Sequence, residues 1–427
     1  MRGASVWAQL LGVEKTLVDS VEFDEDEQVI VACVRPRKAE RGRCGVCRRR
    51  CAGYDAGEGP RRWRALDLGT VQAFIEADAP RVSCPDHGVV VAAVPWARHG
   101  AGHTRHFDDT VAWLAVACSK TAVSTLMRIA WRTVGSIVKR VCAEVDQVVD
   151  RFAGLRRIGI DEISYKKGHK YLTVVVDHDT GRLVWASPGR DKVTMSRFFR
   201  ALGQERCRAI THVSADGAAW IADVVRDWCP RAVLCADPFH VVAWAGEALD
   251  EVRRAAWNDA RRAAGNDRRT TTGGRTIKLS RGDAKKLKGA RWALWKNPED
   301  LSDKQQAKLA WIAKTDPRLY RAYLLKEGLR HVFTLKGEAG IQALRHWLSW
   351  AQRSRLPSFV ALGRKIKKHR ATIYAALEEG MSNALIESTN TKIRVITRTA
   401  YGFKDPHALI ALAMLALGGY RPALPGR

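Results

Sequence analysis

Apolar and polar positions change period along the chain and divide it into four stretches. Up to about residue 94, short runs such as Gln28–Val34 and Val71–Ala77 read as strands among cysteines. From 95 to about 150, Phe107–Cys118, Ala122–Ile129 and Thr133–Val145 have the three-to-four spacing of short helices. From 151 to about 240 the two periods alternate. From about 241 to the end the pattern is almost wholly helical, and no internal repeat is visible. The polar, glycine-bearing stretch Asn266–Gly274 reads as a loop or flexible segment.

The third stretch has a definite order. Leu155–Tyr165, His169–Asp177 and Arg182–Ser187 predict three meandering strands, the last two joined by a turn at Asp179-Thr180-Gly181. Thr194–Leu202 predicts a helix, Arg208–Ser214 a fourth strand, the residues up to about Asp227 a helix, and Ala232–Ala236 a fifth strand. Three antiparallel strands, then helix, strand, helix and strand, is the order of a ribonuclease H-like fold, a mixed sheet between helices.

Charge narrows the function. Lys and Arg number 72 against 45 Asp and Glu, a net charge of +27. A chain so basic calls for a polyanion, and nucleic acid fits better than a membrane surface or a ribosome. No apolar run of about 18 residues predicts a membrane span, and Met1–Glu14 lacks the marks of a secretory signal. The ten cysteines are unevenly spaced and lie mostly in the first half, which argues for a reducing cytoplasm with some thiols on a metal.

Acids in so basic a protein are informative. Asp161 follows the buried run Arg157–Ile160, Asp216 ends the fourth strand, and Glu387 lies in the helical segment Met381–Thr397. Strand ends and a helix packed beside them can gather three carboxylates, the oxygen donors that hard divalent cations require. The bland alternative makes the two aspartates turn or cap residues. Asn383, Glu387, Asn390 and Arg394 share one helical face, which suits a metal and phosphate site or a solvated surface. Asp237-Pro-Phe-His240 frames a turn after the fifth strand, either near those carboxylates or as a cap and a surface histidine.

Cys44-x-x-Cys47 and Cys84-x-x-His87 have the pairing of a tetrahedral structural Zn²⁺ site, with Cys51 as a spare thiol. Ser119–Ser124 followed by Arg128–Arg132 looks like a helix-turn-helix, offering Arg128, Arg132, Lys139 and Arg140 to DNA, or else a plain helical linker. The later helical stretch has basic clusters, Arg275–Lys288 and Gly363–Arg370, among Trp244, Trp257, Trp292, Trp295, Trp311, Trp347 and Trp350. Such a mixture can bind DNA and stack bases, though most of these tryptophans have the spacing of core residues.

In this order the motifs resemble bacterial insertion-sequence transposases of the ISL3 family over nearly the whole chain. The two zinc pairs carry the likeness, with Ile160-Asp161-Glu162, Gly168–Thr173, Ser214-Ala-Asp216 and Asp237-Pro-Phe-His240. Arg291–Pro298, Leu324–Glu327, Ser382–Asn390 and Arg398–Gly402 complete it. The resemblance implies a multidomain α/β protein: a zinc-binding domain (1–94), a helix-turn-helix domain (95–150), a ribonuclease H-like DDE domain (151–240 and 381–427) and an all-helical insertion (241–380). It implies Asp161, Asp216 and Glu387 as the catalytic triad on two Mg²⁺ ions, with Mn²⁺ able to substitute. Asp237 is the rival for the second place; Asp237 and His240 better fit an accessory motif that related enzymes carry downstream.

Asn383 and Asn390 are then expected to position the Glu387 helix or the scissile phosphate, and Lys392, Arg394 and Arg398 to hold flanking phosphates. Partners are terminal inverted repeats and target DNA, with a homodimer or larger assembly on DNA, in the bacterial cytoplasm on the nucleoid, away from membranes. The competing readings are a domesticated, catalytically inactive DNA-binding regulator and a structure-specific nuclease.

Overall fold

The structure, a computed structural model, describes residues 3–215, 219–266, 270–272, 275–277, 281–381 and 384–426. By their contacts they form two compact units. One is Met1–Ala153 with Tyr165–Lys170 and Thr391–Arg427; the other is Gly154–Ser164 with Tyr171–Asn390.

The first unit opens with α1 (Gly3–Leu10) and seven strands: β1 (Thr16–Asp24), β2 (Val29–Pro36), β3 (Ala52–Asp55), β4 (Pro60–Arg64), β5 (Gln72–Asp78), β6 (Arg81–Cys84) and β7 (Gly88–Val91). They form a four-stranded sheet in the order β1-β2-β5-β4 and a three-stranded sheet β3-β6-β7. Alternation along β2 and β5 turns Val34, Ala73 and Ile75 into one core with Trp63 and Trp96. Those two indoles meet edge to face at 5.6 Å.

Three helices follow, α2 (Arg105–Ala117), α3 (Lys120–Met127) and α4 (Trp131–Val148). Thr104 and Ser119 cap the first two by accepting from the amides of Phe107 and Ala122 at 3.3 and 3.2 Å. The sharp turn from α3 into α4 passes through Arg128, a left-handed residue with φ 52° and ψ 47°. Ser124 secures the turn by donating to the Ile129 carbonyl at 2.6 Å. This is the expected helix-turn-helix arrangement.

The second unit is built on β8 (Arg157–Lys166), β9 (Lys170–Asp177), β10 (Leu183–Pro188), α5 (Lys192–Leu202), α6 (Gln204–Ala209), β11 (His212–Ala215), α7 (Ala219–Trp228) and β12 (Val233–Ala236). The sheet order is β10-β9-β8-β11-β12. β10 runs antiparallel to β9, and β8 and β12 run parallel to β11. Ile158, Ile160, Val174, Val176, Phe198 and Phe199 are fully buried, as a sheet covered by helices requires.

One expected strand is shorter than its apolar run. Arg208–Ser214 reads as a strand, but pairing begins at His212 and α6 occupies Gln204–Ala209. Gly203, at φ 85°, ends α5 and restarts the helix. Glu205 in its first turn and Arg206 and Arg208 in its last suit the helix dipole.

The remainder is helical as expected: α8 (Pro238–Asn266), α9 (Arg281–Lys288), α10 (Arg291–Trp295), α11 (Asp303–Thr315), α12 (Pro317–Val332), α13 (Gly337–Arg353), α14 (Pro357–Lys368), α15 (Arg370–Glu379), α16 (Ala384–Thr399) and α17 (Pro406–Leu417). The expected loop Asn266–Gly274 is only partly one. Asn266 ends α8, and β13 (Thr270–Thr272) pairs antiparallel with β14 (Arg275–Ile277); a run of β-branched threonines favours this. Residues 267–269, 273 and 274 lie outside the described residues.

Leu249, Leu294, Leu325, Leu344, Trp347 and Phe359 share the helical core, with Trp244, Trp257 and Trp311 packed against it. Trp292, Trp295 and Trp350 are exposed instead. In the first unit, α17 packs on α4 and α2. Among the described residues no helix is long and apolar enough to cross a membrane.

Candidate active site and metal centre

The parallel strands are aligned at one level. Ala215 on β11 lies in register with Ile160 on β8 and with Ala236 on β12. The next residue along β8 is Asp161 and the next after β12 is Asp237. Asp216 follows Ala215 in the chain but lies outside the described residues, as does Asn383. Alternation explains Asp161: Ile160 is fully buried and Asp161 only half-buried.

Asp161 is held from both sides. Its Oδ1 accepts from the Glu162 amide at 2.7 Å. Its Oδ2 accepts from the Asn390 side-chain amide, also at 2.7 Å. Asn390 is 2% exposed, and its own Oδ1 has no hydrogen-bond partner among the described residues. Glu387 is half-buried one turn earlier on α16, so it shares a face with Asn390. Spacing therefore groups Glu387 and Asn390, and the structure adds Asp161 through a contact spanning 229 residues of sequence.

Asp237 and His240 form a pair of their own. Asp237 is buried, accepts from the Phe239 amide at 3.2 Å and meets His240 Nδ1 at 2.6 Å. A half-buried histidine and a buried serine, with no motif in the sequence to mark them, meet beside the same sheet. His178 Nε2 meets Ser214 Oγ at 2.8 Å, and the lack of a side chain at Gly159 leaves room for the imidazole. Burial lowers the His178 pKa, and the nearby Arg157 adds to this against Asp177 and Asp179. Its only signal in the sequence is a histidine directly after a strand.

The four residues expected to hold zinc come together fully. The donor atoms of Cys44, Cys47, Cys84 and His87 all lie within 4.8 Å of one another. Cys47 Sγ is 3.7 Å from Cys84 Sγ, and His87 Nδ1 is 3.8 Å from Cys44 Sγ and 3.5 Å from Cys84 Sγ. A tetrahedron with Zn–S bonds near ~2.3 Å has edges of about 3.7 Å, so the residues fit zinc.

Local folding makes these separations possible. A tight turn over Cys44–Arg48 supplies one pair, and the end of β6 and its hairpin into β7 supply the other. Gly45 allows the close approach, since a Cβ there would meet the Val91 carbonyl and His99 ring at about 2.5 Å. His87 lowers the Cys84 thiol to about 6, so the thiolate a metal needs forms readily. Cys51 is not one of the four.

The helix-turn-helix cations are mostly engaged. Arg128 pairs with Asp67 and donates to the Thr70 carbonyl at 2.9 Å. Arg140 pairs at 2.9 Å with the fully buried Asp108, and Lys139 at 3.0 Å with Asp405. Arg132 is exposed, as are Lys392, Arg394 and Arg398 on α16.

Comparison with known proteins defines the class. Residues 158–413 match the family model for transposases of the DDE type in the ISL3 group. Residues 92–142 match the helix-turn-helix domain of transposase family ISL3. Residues 40–87 match the zinc-finger of transposases IS204, IS1001, IS1096 and IS1165. The chain is a transposase with a DDE domain and a helix-turn-helix DNA-binding domain.

It is 64% identical over 436 residues to the transposase for insertion sequence element IS1557 of Mycobacterium tuberculosis, in two strains, covering 100% of this chain and 98% of the relative. It is 25% identical over 392 residues to the transposase for insertion sequence element IS1001 of Bordetella parapertussis, covering 91% and 92%. The chain belongs to the ISL3 family of transposases.

Proposed function

We propose that this transposase cleaves the ends of an insertion sequence and joins them to target DNA at a site formed by Asp161, Asp216 and Glu387 on a ribonuclease H-like sheet. The observation that carries the reading is the hydrogen bond from Asn390 to Asp161, which ties the Glu387 helix to the first strand of the sheet. The strand order β10-β9-β8-β11-β12 supports the fold assignment. Oxygen donors beside the unpartnered Oδ1 of Asn390 suit a hard cation such as Mg²⁺, or Mn²⁺ in its place. Two such ions, when bound, activate the attacking water or 3′-OH and stabilise the leaving oxygen.

The protein's own part is to hold and aim. Asp161 is fixed by Asn390 and the Glu162 amide, so its carboxylate is oriented before DNA arrives. Asp237 and His240 act as an accessory pair near the strand ends, with Asn383 assisting on the approach to Glu387. Lys392, Arg394 and Arg398 bind DNA phosphates further along α16. The four-part division into a zinc domain (1–94), helix-turn-helix (95–150), catalytic domain (151–240 and 381–427) and insertion (241–380) belongs to the same proposal. So do recognition of terminal inverted repeats in the cytoplasm, zinc on Cys44, Cys47, Cys84 and His87, and synapsis of two ends by at least a dimer.

The test is Asp161→Asn with a duplex carrying the element end. Cleavage and joining vanish while binding stays at the wild-type level; joining retained by the variant overturns the triad.

A further inference from the structure

Beside the helix-turn-helix lies a cavity of about 460 Å³ lined by Lys120, Trp131, Arg132, Lys139, Phe403 and Lys404, among others. Its lining comes from the start of α3, the start of α4 and the turn before α17, all within one compact unit. Four cations meet there against one carboxylate, Asp405. That carboxylate is already occupied, by Lys139 at 3.0 Å and by the His407 amide at 2.9 Å.

Lys120 is the unusual member. It is 6% exposed, yet among the described residues its ammonium has no hydrogen-bond or ion-pair partner. It lies 4.2 Å from the centre of the Trp131 ring and 4.9 Å from that of Phe403. A Cβ on Gly135 would come within 3.1 Å of its Nζ. Burying an ammonium with no acid within ion-pair distance is costly, and two aromatic faces offset only part of that cost. Burial lowers the Lys120 pKa, with the nearby Lys139 charge adding to this and the Asp405 carboxylate opposing it. The cavity also opens at the amino end of the 18-residue α4, where Ala130 provides no side-chain cap for the first amides.

We propose that this cavity seats one backbone phosphate of the DNA held by the helix-turn-helix, with Lys120 and Lys404 as its ligands and Arg132 at its rim. The segment before α17 thereby becomes part of the DNA-binding surface, although it lies far from the helix-turn-helix in sequence. The inference rests on DNA binding by the helix-turn-helix domain.

The test is binding of the full-length protein to a labelled element-end duplex across a range of salt concentrations. Each phosphate neutralised contributes about 0.9 to the slope of log affinity against log salt. Lys120→Met lowers the slope by about one unit while its melting temperature stays at or above that of wild type, because an unpaired buried charge has been removed. Lys404→Gln, a surface change, lowers it similarly, and the double variant falls little further because both lysines serve one phosphate.

Unchanged slope and affinity in Lys404→Gln and Lys120→Met overturn the proposal while DNA binding by the wild type stands. Failure of the wild type to bind the duplex overturns the underlying reading as well. Inorganic phosphate that stabilises the wild type but not Lys120→Met, with duplex slopes unchanged, marks a small-anion site and overturns the DNA assignment.

Discussion

Asn390 donates from its buried side-chain amide to Oδ2 of Asp161 at 2.7 Å, joining α16 to β8. The bond adds a second anchor to a carboxylate already held by the Glu162 amide, and it does so from the helix that carries Glu387. Partners that orient a metal-binding carboxylate are worth about 10–100-fold in affinity or rate.

Asn390→Ala is therefore expected to slow cleavage by about 10–100-fold and to raise the Mg²⁺ concentration needed for half-maximal rate. End binding stays unchanged. Cleavage rates over a Mg²⁺ titration, with binding measured in parallel, check this; a wild-type metal requirement in the variant removes Asn390 from the site.

The cysteine and histidine cluster yields a sharper prediction because the structure separates its four clustered donors from the spare thiol. The purified protein should contain about one zinc per chain, as four closed ligands require. Cys44→Ser or Cys84→Ser should lose it, whereas Cys51→Ser should keep it, since Cys51 is not among the clustered donors. Elemental analysis of the three variants decides the ligand set, and a zinc-free Cys51→Ser protein contradicts it.

His178 gives a pH dependence whose sign follows from burial. Its pKa in the folded chain lies below the ordinary value of about 6.5. Below that value the unfolded chain takes up a proton that the folded chain resists, so stability falls as pH falls. Stability should be complete above about pH 6.5 and decline as pH drops through the lowered folded value. His178→Gln keeps a partner for Ser214 and should flatten this decline, measured by denaturant unfolding at pH 7.5, 6.5 and 5.5.

Local pattern reveals the strands of the mixed sheet because buried apolar runs end at turn residues, as at Asp179-Thr180-Gly181. It reveals the zinc pairs for a similar reason: each pair is fixed by one tight turn. The start of β11 was not legible, because a short apolar run such as Arg208–Ile210 fits a helix end as well as a strand. The tryptophans show the same limit. Helical spacing places Trp347 in the core, but it does not reveal that the neighbouring Trp350 is exposed.

Contacts between distant segments were the least legible. Glu387 and Asn390 could be put on one helical face from spacing, but their link to Asp161 required the fold. Nothing in the sequence brings Phe403 and Lys404 to Lys120. Nor does it show that Arg128 and Arg140, expected at the DNA, are held by Asp67 and Asp108.

The most direct measurement is cleavage of a labelled duplex carrying the flanking inverted repeat, with Mg²⁺, by wild type and by Glu387→Gln. The account predicts cutting at the element end by the wild type and none by the variant, with equal binding by both. Tight binding by both proteins and cutting by neither would contradict it and leave a DNA-binding regulator in its place.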